Sequence, residues 1–188
     1  MKDLKKNCRA AVIQCAPVLF DKEASARKCA DLIAEAAKEK PDLIVLPELI
    51  VPGYPYGMTF GFTVRSRKEP GRRDWLRYAK NSVLVPGPET KLLGEAARSA
   101  RAWMSVGIWE RDAVTETLYN NVFFALEGCC YVINCDQFFR KSDYPSDLEE
   151  REALQALPET VCRGGSCVAD PFGHYARPDV LRLEVNDK

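Results

Sequence analysis

The sequence has no excess of charge of either sign. Its 188 residues include 27 Lys and Arg against 27 Asp and Glu, so the formal net charge at pH 7 is zero. A protein that binds nucleic acid usually carries a basic excess that neutralises phosphates, and its absence argues against nucleic acid as a partner. With 46% hydrophobic and 29% charged residues, the chain has the composition of one folded globular domain rather than of a disordered protein.

Long apolar runs are also missing. No stretch reaches the roughly 20 apolar residues that a membrane-spanning helix needs, so we expect no membrane as a partner. The apolar run 10–20 after the basic start is interrupted by Gln14 and Pro17 and leads to Asp21, which argues against a signal peptide. We therefore expect a cytoplasmic protein whose eight cysteines are reduced thiols.

Metal-binding patterns are scarce. The sequence has one histidine, His174, and no pair of cysteines with the C-x2-C spacing of structural zinc sites. Five cysteines do cluster in the second half of the chain, at positions 129, 130, 135, 162 and 167. Because free thiols are frequently buried as small hydrophobic groups, we expect them to pack in the core and to bind no metal.

The hydrophobic pattern predicts a layered α/β fold. The predicted strands are 9–17, 43–46, 103–109, 118–126, 129–134 and 166–170. The predicted helices are 22–38, 72–81, 89–102 and 146–156, and the segments 52–57 and 136–145 are expected to be irregular. The run Leu43-Ile44-Val45-Leu46 is apolar throughout, which is typical of a strand buried on both faces of a sheet.

One carboxylate stands at a position typical of a catalytic group. Glu48 follows the predicted strand 43–46 directly and precedes the Pro- and Gly-rich loop 52–57. Partial burial there would raise the pKa of a carboxyl toward the range useful for a general base. The position alone is equally consistent with a charged residue at a strand exit.

Several short blocks of the sequence are distinctive when taken together. They are Arg9 to Pro17, Leu43-Ile44-Val45-Leu46-Pro47-Glu48, Pro52-Gly53-Tyr54-Pro55, Val85-Pro86-Gly87-Pro88-Glu89-Thr90, Tyr119-Asn120-Asn121, Asn134 to Pro145 and Gly164-Gly165-Ser166. In their order and spacing, over nearly the whole chain, these blocks resemble the nitrilase branch of the carbon-nitrogen hydrolase superfamily.

The resemblance implies a four-layer α-β-β-α sandwich and a Glu-Lys-Cys triad that needs no cofactor. In such a triad a cysteine thiolate attacks a nitrile carbon, the glutamate is the general base, and the lysine stabilises the charged intermediate. Glu48 matches the glutamate, and Tyr54 lies in the loop that lines the family's substrate pocket. For Tyr54, packing of its ring beneath that loop is an equally good interpretation.

The blocks that carry the family's lysine and cysteine are absent from this sequence. The strand block ending at Ala125 runs directly into Leu126, which resembles a segment far downstream in the family, and a second such join lies between Gly173 and His174. The sequence therefore predicts a single domain over residues 1–188, a truncated version of the four-layer sandwich with internal deletions near 125/126 and 173/174. Cys135 and Lys141 lie in a downstream block without these catalytic groups, so we expect both to be structural.

Two functional hypotheses follow. The first is a hydrolase of carbon-nitrogen bonds other than peptide bonds, which converts a small nitrile to a carboxylic acid and ammonia with Glu48 as the base. The second is a non-catalytic splice form or decayed copy that associates with intact nitrilase subunits, since the family forms homo-oligomers. Loss of the nucleophile favours the second hypothesis for activity, and the resemblance favours nitrilase ancestry.

Overall fold

In the part of the chain that the structure describes, the fold is mixed α/β, with three α-helices and short strands, as the hydrophobic pattern predicts. The structure is a computed structural model that describes residues 8–63, 66–67, 69–121, 132–135, 137–149, 154–163, 167–169 and 175–176. The helices are α1 (Lys22–Ala36), α2 (Glu69–Lys80) and α3 (Pro88–Ala100). The strands of the amino-terminal part are β1 (Ala10–Val12), β2 (Leu43–Val45), β3 (Phe62–Thr63), β4 (Ser66–Arg67), β5 (Trp103–Ser105), β6 (Ile108–Arg111) and β7 (Leu118–Asn121). Those that follow are β8 (Val132–Asn134), β9 (Phe138–Arg140), β10 (Thr160–Arg163), β11 (Cys167–Ala169) and β12 (Tyr175–Ala176).

A parallel sheet with strand order β1-β2-β5 supports the amino-terminal part. Helix α1 connects β1 to β2, and it begins where the Asp21 carboxylate accepts a hydrogen bond from the Ala24 amide at 2.8 Å. Helices α1 and α3 pack together over this sheet and bury a shared apolar core. The core includes Ile13, Cys15, Cys29, Leu32, Ile33, Ile44, Leu46, Ile50, Val51 and Leu93.

The strand β2 is covered on both faces, as the continuous apolar run predicts. Ile44 belongs to the helix-covered core, whereas Val45 belongs to a smaller cluster with Val12 and Cys135. Because side chains alternate along a strand, neighbouring residues of β2 reach opposite layers. The sheet therefore lies between the helices and a segment from the second half of the chain.

The second half of the chain forms short antiparallel pairs. In the described residues, β9 pairs with β10, and β11 pairs with β8 on one side and with β12 on the other; all three pairs are antiparallel. Buried residues of this half join an aromatic cluster with the amino-terminal part. The cluster contains Leu19, Phe20, Tyr78, Phe139, Tyr144, Leu148 and Leu154.

Several predicted elements differ from the structure. The predicted strand 9–17 is a strand only over Ala10–Val12. The predicted strand 103–109 is two strands, since β5 continues the parallel sheet whereas β6 pairs with β7 in a separate hairpin. The change of partner falls at Val106 and Gly107, where the chain passes against the backbone of Glu48. The segment 136–145, expected to be irregular, contains β9 because pairing with β10 supplies its backbone hydrogen bonds.

Other predictions fall partly outside the described residues. Residues 146–149 of the predicted helix 146–156 form turns, and 150–153 lie outside the described part. The two predicted joins, at 125/126 and 173/174, also lie outside it. Within the part that the structure describes, no helix is both long enough and apolar enough to cross a membrane.

Candidate active site around Glu48

Glu48 lies on a turn at the carboxyl end of β2. The Leu46 amide still donates to the Ser105 carbonyl at 2.9 Å, which continues the pairing with β5 as far as that residue. The main chain then turns at Leu49, whose φ is +47° and whose side chain is buried. This left-handed turn leaves the side chain of Glu48 exposed while both neighbouring residues stay buried. The carboxyl at this strand end is therefore not partly buried.

Gly107 allows a close contact between the Glu48 turn and the next strand connection. A Cβ atom at position 107 would lie 2.4 Å from the Leu49 nitrogen and 2.6 Å from the Glu48 Cα, so only glycine permits this approach. The Gly107 amide also donates to the Pro47 carbonyl at 3.2 Å. The backbone that carries the carboxylate is thus supported directly by the link between β5 and β6.

Two amide side chains hold Glu48 from different parts of the chain. Asn120 Nδ2 on β7 donates to Glu48 Oε1 at 2.7 Å. Gln137 Nε2, just before β9, donates to the Glu48 main-chain carbonyl at 2.5 Å. Both amides lie in blocks that carry the family resemblance, but the sequence pattern did not single them out as site residues. They are 72 and 89 residues from Glu48, so only the folded chain reveals the contacts.

An aromatic group borders the same turn. Tyr78 is 2% exposed, donates its hydroxyl to the Gly53 carbonyl at 3.2 Å, and stacks on Trp109 with ring centroids 5.3 Å apart. Burial raises the pKa of Tyr78, and interactions with Tyr54 and Glu48 raise it further. The Gly53 amide donates to the Leu49 carbonyl at 2.8 Å, so the Tyr78 hydroxyl is connected through Gly53 to the turn that carries Glu48.

Tyr54 is half-buried in the loop that follows the turn. Its ring lies 4.6 Å from the ring of Tyr56, centroid to centroid, and Tyr56 lies 6.3 Å from Phe139. The Tyr54 ring is thus part of the aromatic packing of the loop. Both interpretations of Tyr54 from the sequence are compatible with this position.

Four thiols, those of Cys15, Cys29, Cys135 and Cys162, have partners or surroundings typical of packing residues, whereas Cys8 is exposed. Cys15 and Cys29 are buried, and burial raises the pKa of Cys15 to about 11 and that of Cys29 further. Cys135 is buried and donates to the carbonyls of Ile13 and Val45 at 3.1 and 3.4 Å, while Cys162 donates to that of Gln137 at 3.0 Å. These contacts agree with the structural role predicted for Cys135. The structure does not describe positions 129, 130 and 174.

The Lys141 side chain contacts the main chain of a nearby segment. Its Nζ donates to the Gln155 carbonyl at 2.9 Å, as expected of a structural rather than a catalytic lysine. The described residues include no group of three His, Cys, Asp or Glu side chains arranged to hold a metal ion. The site that remains is a solvent-open carboxylate that accepts from the Asn120 amide, on a residue whose main-chain carbonyl accepts from the Gln137 amide. A carboxylate so held can accept a proton from a group placed against it.

Comparison with known proteins agrees with the resemblance. The profile of the carbon-nitrogen hydrolase family matches residues 9–125. An aliphatic nitrilase of Sinorhizobium fredii (strain HH103) is 40% identical over 299 aligned positions, spanning 96% of this chain and 96% of that protein. The bifunctional nitrilase/nitrile hydratase NIT4B of Nicotiana tabacum is 36% identical over 301 positions, spanning 95% of this chain and 86% of that protein.

The lengths of these alignments differ from the length of the chain. The alignment with the Sinorhizobium fredii nitrilase has 299 positions, 111 more than the 188 residues of this chain, so at least 111 positions hold no residue of it. A shorter match, to nitrilase 2 of Arabidopsis thaliana, is 36% identical over 121 residues, or 64% of this chain and 35% of that protein. From the family profile and from relatives that span almost its full length, this chain belongs to the carbon-nitrogen hydrolase family, in its nitrilase branch.

Proposed function

We propose that this protein is a nitrilase-branch scaffold that keeps the general-base carboxylate, Glu48, but does not hydrolyse nitriles by itself. The observation that carries the proposal is the alignment in which at least 111 positions of a full-length nitrilase have no counterpart here. The family profile ends at residue 125, where the first internal join is expected. By resemblance, the segment absent after that join holds the catalytic lysine and cysteine.

The chemistry explains why such a loss abolishes turnover. Nitrile hydrolysis by this family requires a thiolate to attack the nitrile carbon, a base to take protons, and a cation to stabilise the tetrahedral species. Removal of a covalent nucleophile lowers kcat by about 10⁶ in a well-studied hydrolase. Glu48 alone supplies the base. Burial keeps the Cys15 and Cys29 thiols protonated, and the Cys135 and Cys162 thiols donate to backbone carbonyls.

The substrate side of the site supports a small nitrile as the ancestral substrate. The relatives named as nitrilases act on nitriles, and the loop that bears Tyr54 follows the turn of Glu48 along the chain. Under this proposal Tyr54 and the neighbouring aromatic rings form one wall of the substrate pocket. Glu48 lies at its floor.

The proposal is tested by restoring the absent segments, because the restored chain is expected to gain activity. The corresponding segments of the Sinorhizobium fredii nitrilase are inserted between Ala125 and Leu126 and between Gly173 and His174. The 188-residue chain is expected to release no ammonia from cyanide, cyanoalanine or arylacetonitriles, whereas the chimera is expected to release it. Glu48→Gln in the chimera is expected to abolish the release, because glutamine cannot accept the proton.

Folding controls keep the assay interpretable. Thermal unfolding of each variant is followed by circular dichroism, so that inactivity of a folded chain is distinguished from inactivity caused by unfolding. Ammonia release by the 188-residue chain that is lost in its Glu48→Gln variant would overturn the proposal. It would mean that another thiol of this chain has become the nucleophile.

A second candidate role is association with intact nitrilase subunits. An exposed groove of about 580 Å³ between α2 and the loop before it has Phe62, Trp75 and Leu76 on its wall, with exposed fractions of 59%, 37% and 52%. Arg72 and Arg73 line the same groove. Exposed apolar side chains edged by arginine are typical of protein interfaces.

Co-expression with a full-length nitrilase tests this role. The chain is expected to co-purify with the intact subunit at micromolar concentration, and Leu76→Asp is expected to abolish the association by placing a charge in the groove. Val114→Asp, at an exposed position on the β6–β7 turn, is the control. Equal co-purification of both variants would exclude this groove as the interface.

A further inference from the structure

The β6–β7 hairpin places Asn120 beside Glu48. Trp109 of β6 and Asn120 of β7 are register partners, and side chains of directly opposed residues lie on the same face of an antiparallel pair. Trp109 on this face stacks against Tyr78, whose hydroxyl donates to the carbonyl of Gly53 in the loop after the Glu48 turn. The amide of Asn120 therefore reaches the carboxylate from the face that borders the site, and its Nδ2 lies 2.7 Å from Oε1.

Gln137 holds the main chain of Glu48. It is 2% exposed, and its Nε2 donates to the Glu48 carbonyl at 2.5 Å. Its own carbonyl accepts a hydrogen bond from the Cys162 thiol at 3.0 Å, and Phe139, two residues further on, is fully buried. A side chain anchored in this way is a rigid support for the turn.

We propose that Asn120 and Gln137 are positioning residues for Glu48. This inference rests on the proposed role of Glu48 as the base. Gln137 fixes the peptide group that follows the Glu48 Cα, and Asn120 fixes the orientation of the carboxylate through Oε1. The second oxygen, Oε2, belongs to a solvent-exposed side chain and is the one left to accept a proton.

Positioning of this kind has a chemical purpose. A general base acts efficiently only when its oxygen is held within hydrogen-bond reach of the proton that it removes. An exposed glutamate side chain has several rotamers, so without support it would spend little time in any one of them. A charge-assisted hydrogen bond from an amide selects one rotamer without neutralising the carboxylate.

Nuclear magnetic resonance on the full 188-residue chain tests the positioning directly. The carboxyl carbon shift and side-chain three-bond couplings of Glu48 are measured in the parent, in Asn120→Ala and in Asn121→Ala as the matched control. Couplings of a single rotamer are expected in the parent and in Asn121→Ala, with averaged couplings in Asn120→Ala. The amide signals of Ile44 and Val45 are expected to stay in place, which shows that the sheet is intact. Averaged couplings in the parent, or equal effects of the two substitutions, would overturn the assignment of Asn120.

Gln137→Met provides the corresponding test of the main-chain contact. It keeps the length of the side chain and removes the donor to the Glu48 carbonyl. Because that carbonyl shares its peptide group with the Leu49 amide, the Leu49 signal is expected to shift more than those of Ile44 and Val45. A shift spread evenly over β2 would overturn the specific role of Gln137.

The chimera described above supplies the functional measurement. There, Asn120→Ala is expected to lower kcat by about tenfold to 100-fold with KM unchanged, because only the placement of the base changes. Asn121→Ala is expected to leave both constants unchanged. If KM rises and kcat does not fall, Asn120 acts on substrate binding and the inference is wrong. If the chimera releases no ammonia, the proposed function is wrong. The nuclear magnetic resonance measurements still decide whether Asn120 and Gln137 position Glu48.

Discussion

The amino-terminal region, residues 8–121, and the carboxy-terminal segments, the described residues from 132 to 176, achieve burial in different ways. The amino-terminal region has a parallel sheet covered by α1 and α3, and among the described residues the apolar core under these helices comes from this region. The carboxy-terminal segments form short antiparallel pairs, and their large buried side chains pack against amino-terminal residues. The first region carries its own core, whereas the second depends on the first.

This difference follows from the way each set of strands is connected. Parallel strands need a long crossover, and here α1 supplies it for β1 and β2 while also covering their sheet. Short antiparallel pairs have no such cover of their own and must bury their apolar side chains elsewhere. The site is built where the two parts meet, since Glu48 is held by Asn120 from one and by Gln137 from the other.

Of all the changes considered, removal of the Phe139 side chain is expected to destabilise the carboxy-terminal segments most. Phe139 is fully buried and contacts Tyr144 with ring centroids 4.8 Å apart. Phe139→Ala is expected to lower the free energy of unfolding by about 3–5 kcal/mol, because it removes a large side chain and leaves a cavity. Hydrogen exchange is expected to show earlier loss of protection in 137–163 than in β1 and β2.

The matched control for this prediction is an exposed phenylalanine. Phe62 is 59% exposed, so Phe62→Ala is expected to change the free energy of unfolding by no more than about 0.5 kcal/mol. Simultaneous loss of protection in both regions of Phe139→Ala would contradict the dependence of one region on the other.

The buried thiols of the amino-terminal core give the next largest expected effect, at alkaline pH. The pKa of Cys15 is about 11 in the folded chain against 9.0 for the free thiol. Its raised pKa contributes fully to stability below about pH 9, and the contribution is lost as pH rises toward 11, when the unfolded thiol ionises first. The loss over this window is about 3 kcal/mol at most, at about 1.4 kcal/mol for each pKa unit.

Denaturant unfolding at pH 8 to 11 measures this loss. The parent is expected to lose more stability over the window than Cys15→Ala, which has no thiol to ionise at that position. Cys8→Ala is the control, because Cys8 is exposed. Equal slopes in the parent and in Cys15→Ala would show that the thiol has no part in the alkaline transition.

A smaller effect is expected at the glycine that supports the Glu48 turn. Gly107→Ala places a Cβ atom 2.4 Å from the Leu49 nitrogen, so the backbone must shift, and a loss of about 1–3 kcal/mol is expected. Gly94 in α3 has open space around its Cα, and Gly94→Ala is expected to gain about 0.5–1 kcal/mol. Chemical denaturation compares the two variants. A neutral Gly107→Ala would mean that the turn and the β5–β6 link move apart freely.

The smallest expected effect concerns a surface ion pair that joins the two regions. Arg77 Nη1 of α2 donates to Asp147 Oδ1 at 2.8 Å, and this hydrogen bond and the guanidinium charge lower the pKa of Asp147. The stabilisation is present above the unfolded pKa near 3.8 and is lost as pH falls below it. It is expected to be small and screened by salt, because the carboxylate is exposed.

Thermal midpoints of the parent and Asp147→Asn measure this last contribution. At pH 7 and low salt the variant is expected to melt slightly below the parent, and at pH 3 or in 1 M salt the two midpoints are expected to converge. Asp31→Asn, at an exposed position on α1, is the control for the change of net charge. A difference that persists at pH 3 would assign the effect to packing rather than to charge.

Much of the amino-terminal region was predictable from local pattern. Helix α1 begins at Lys22 as predicted, after Asp21 as its cap, and β2 lies within the predicted strand 43–46. These elements are marked by capping and by periodic burial, which are properties of neighbouring residues. The predicted strand 103–109 was wrong as one element because its two halves pair with different partners. Strand β9 was missed because only its pairing with β10 makes it a strand.

The sequence by itself determined the family, the layered α/β class and the position of Glu48 at the end of a buried strand. Those properties are encoded in residue types and spacings that can be recognised before the chain folds. Only the tertiary structure decided that the Glu48 side chain is exposed, that Asn120 holds its carboxylate and that Gln137 holds its main-chain carbonyl. The physical reason is that a left-handed turn at Leu49 and contacts across 72 and 89 residues depend on how sheets and hairpins pack, which no local pattern records.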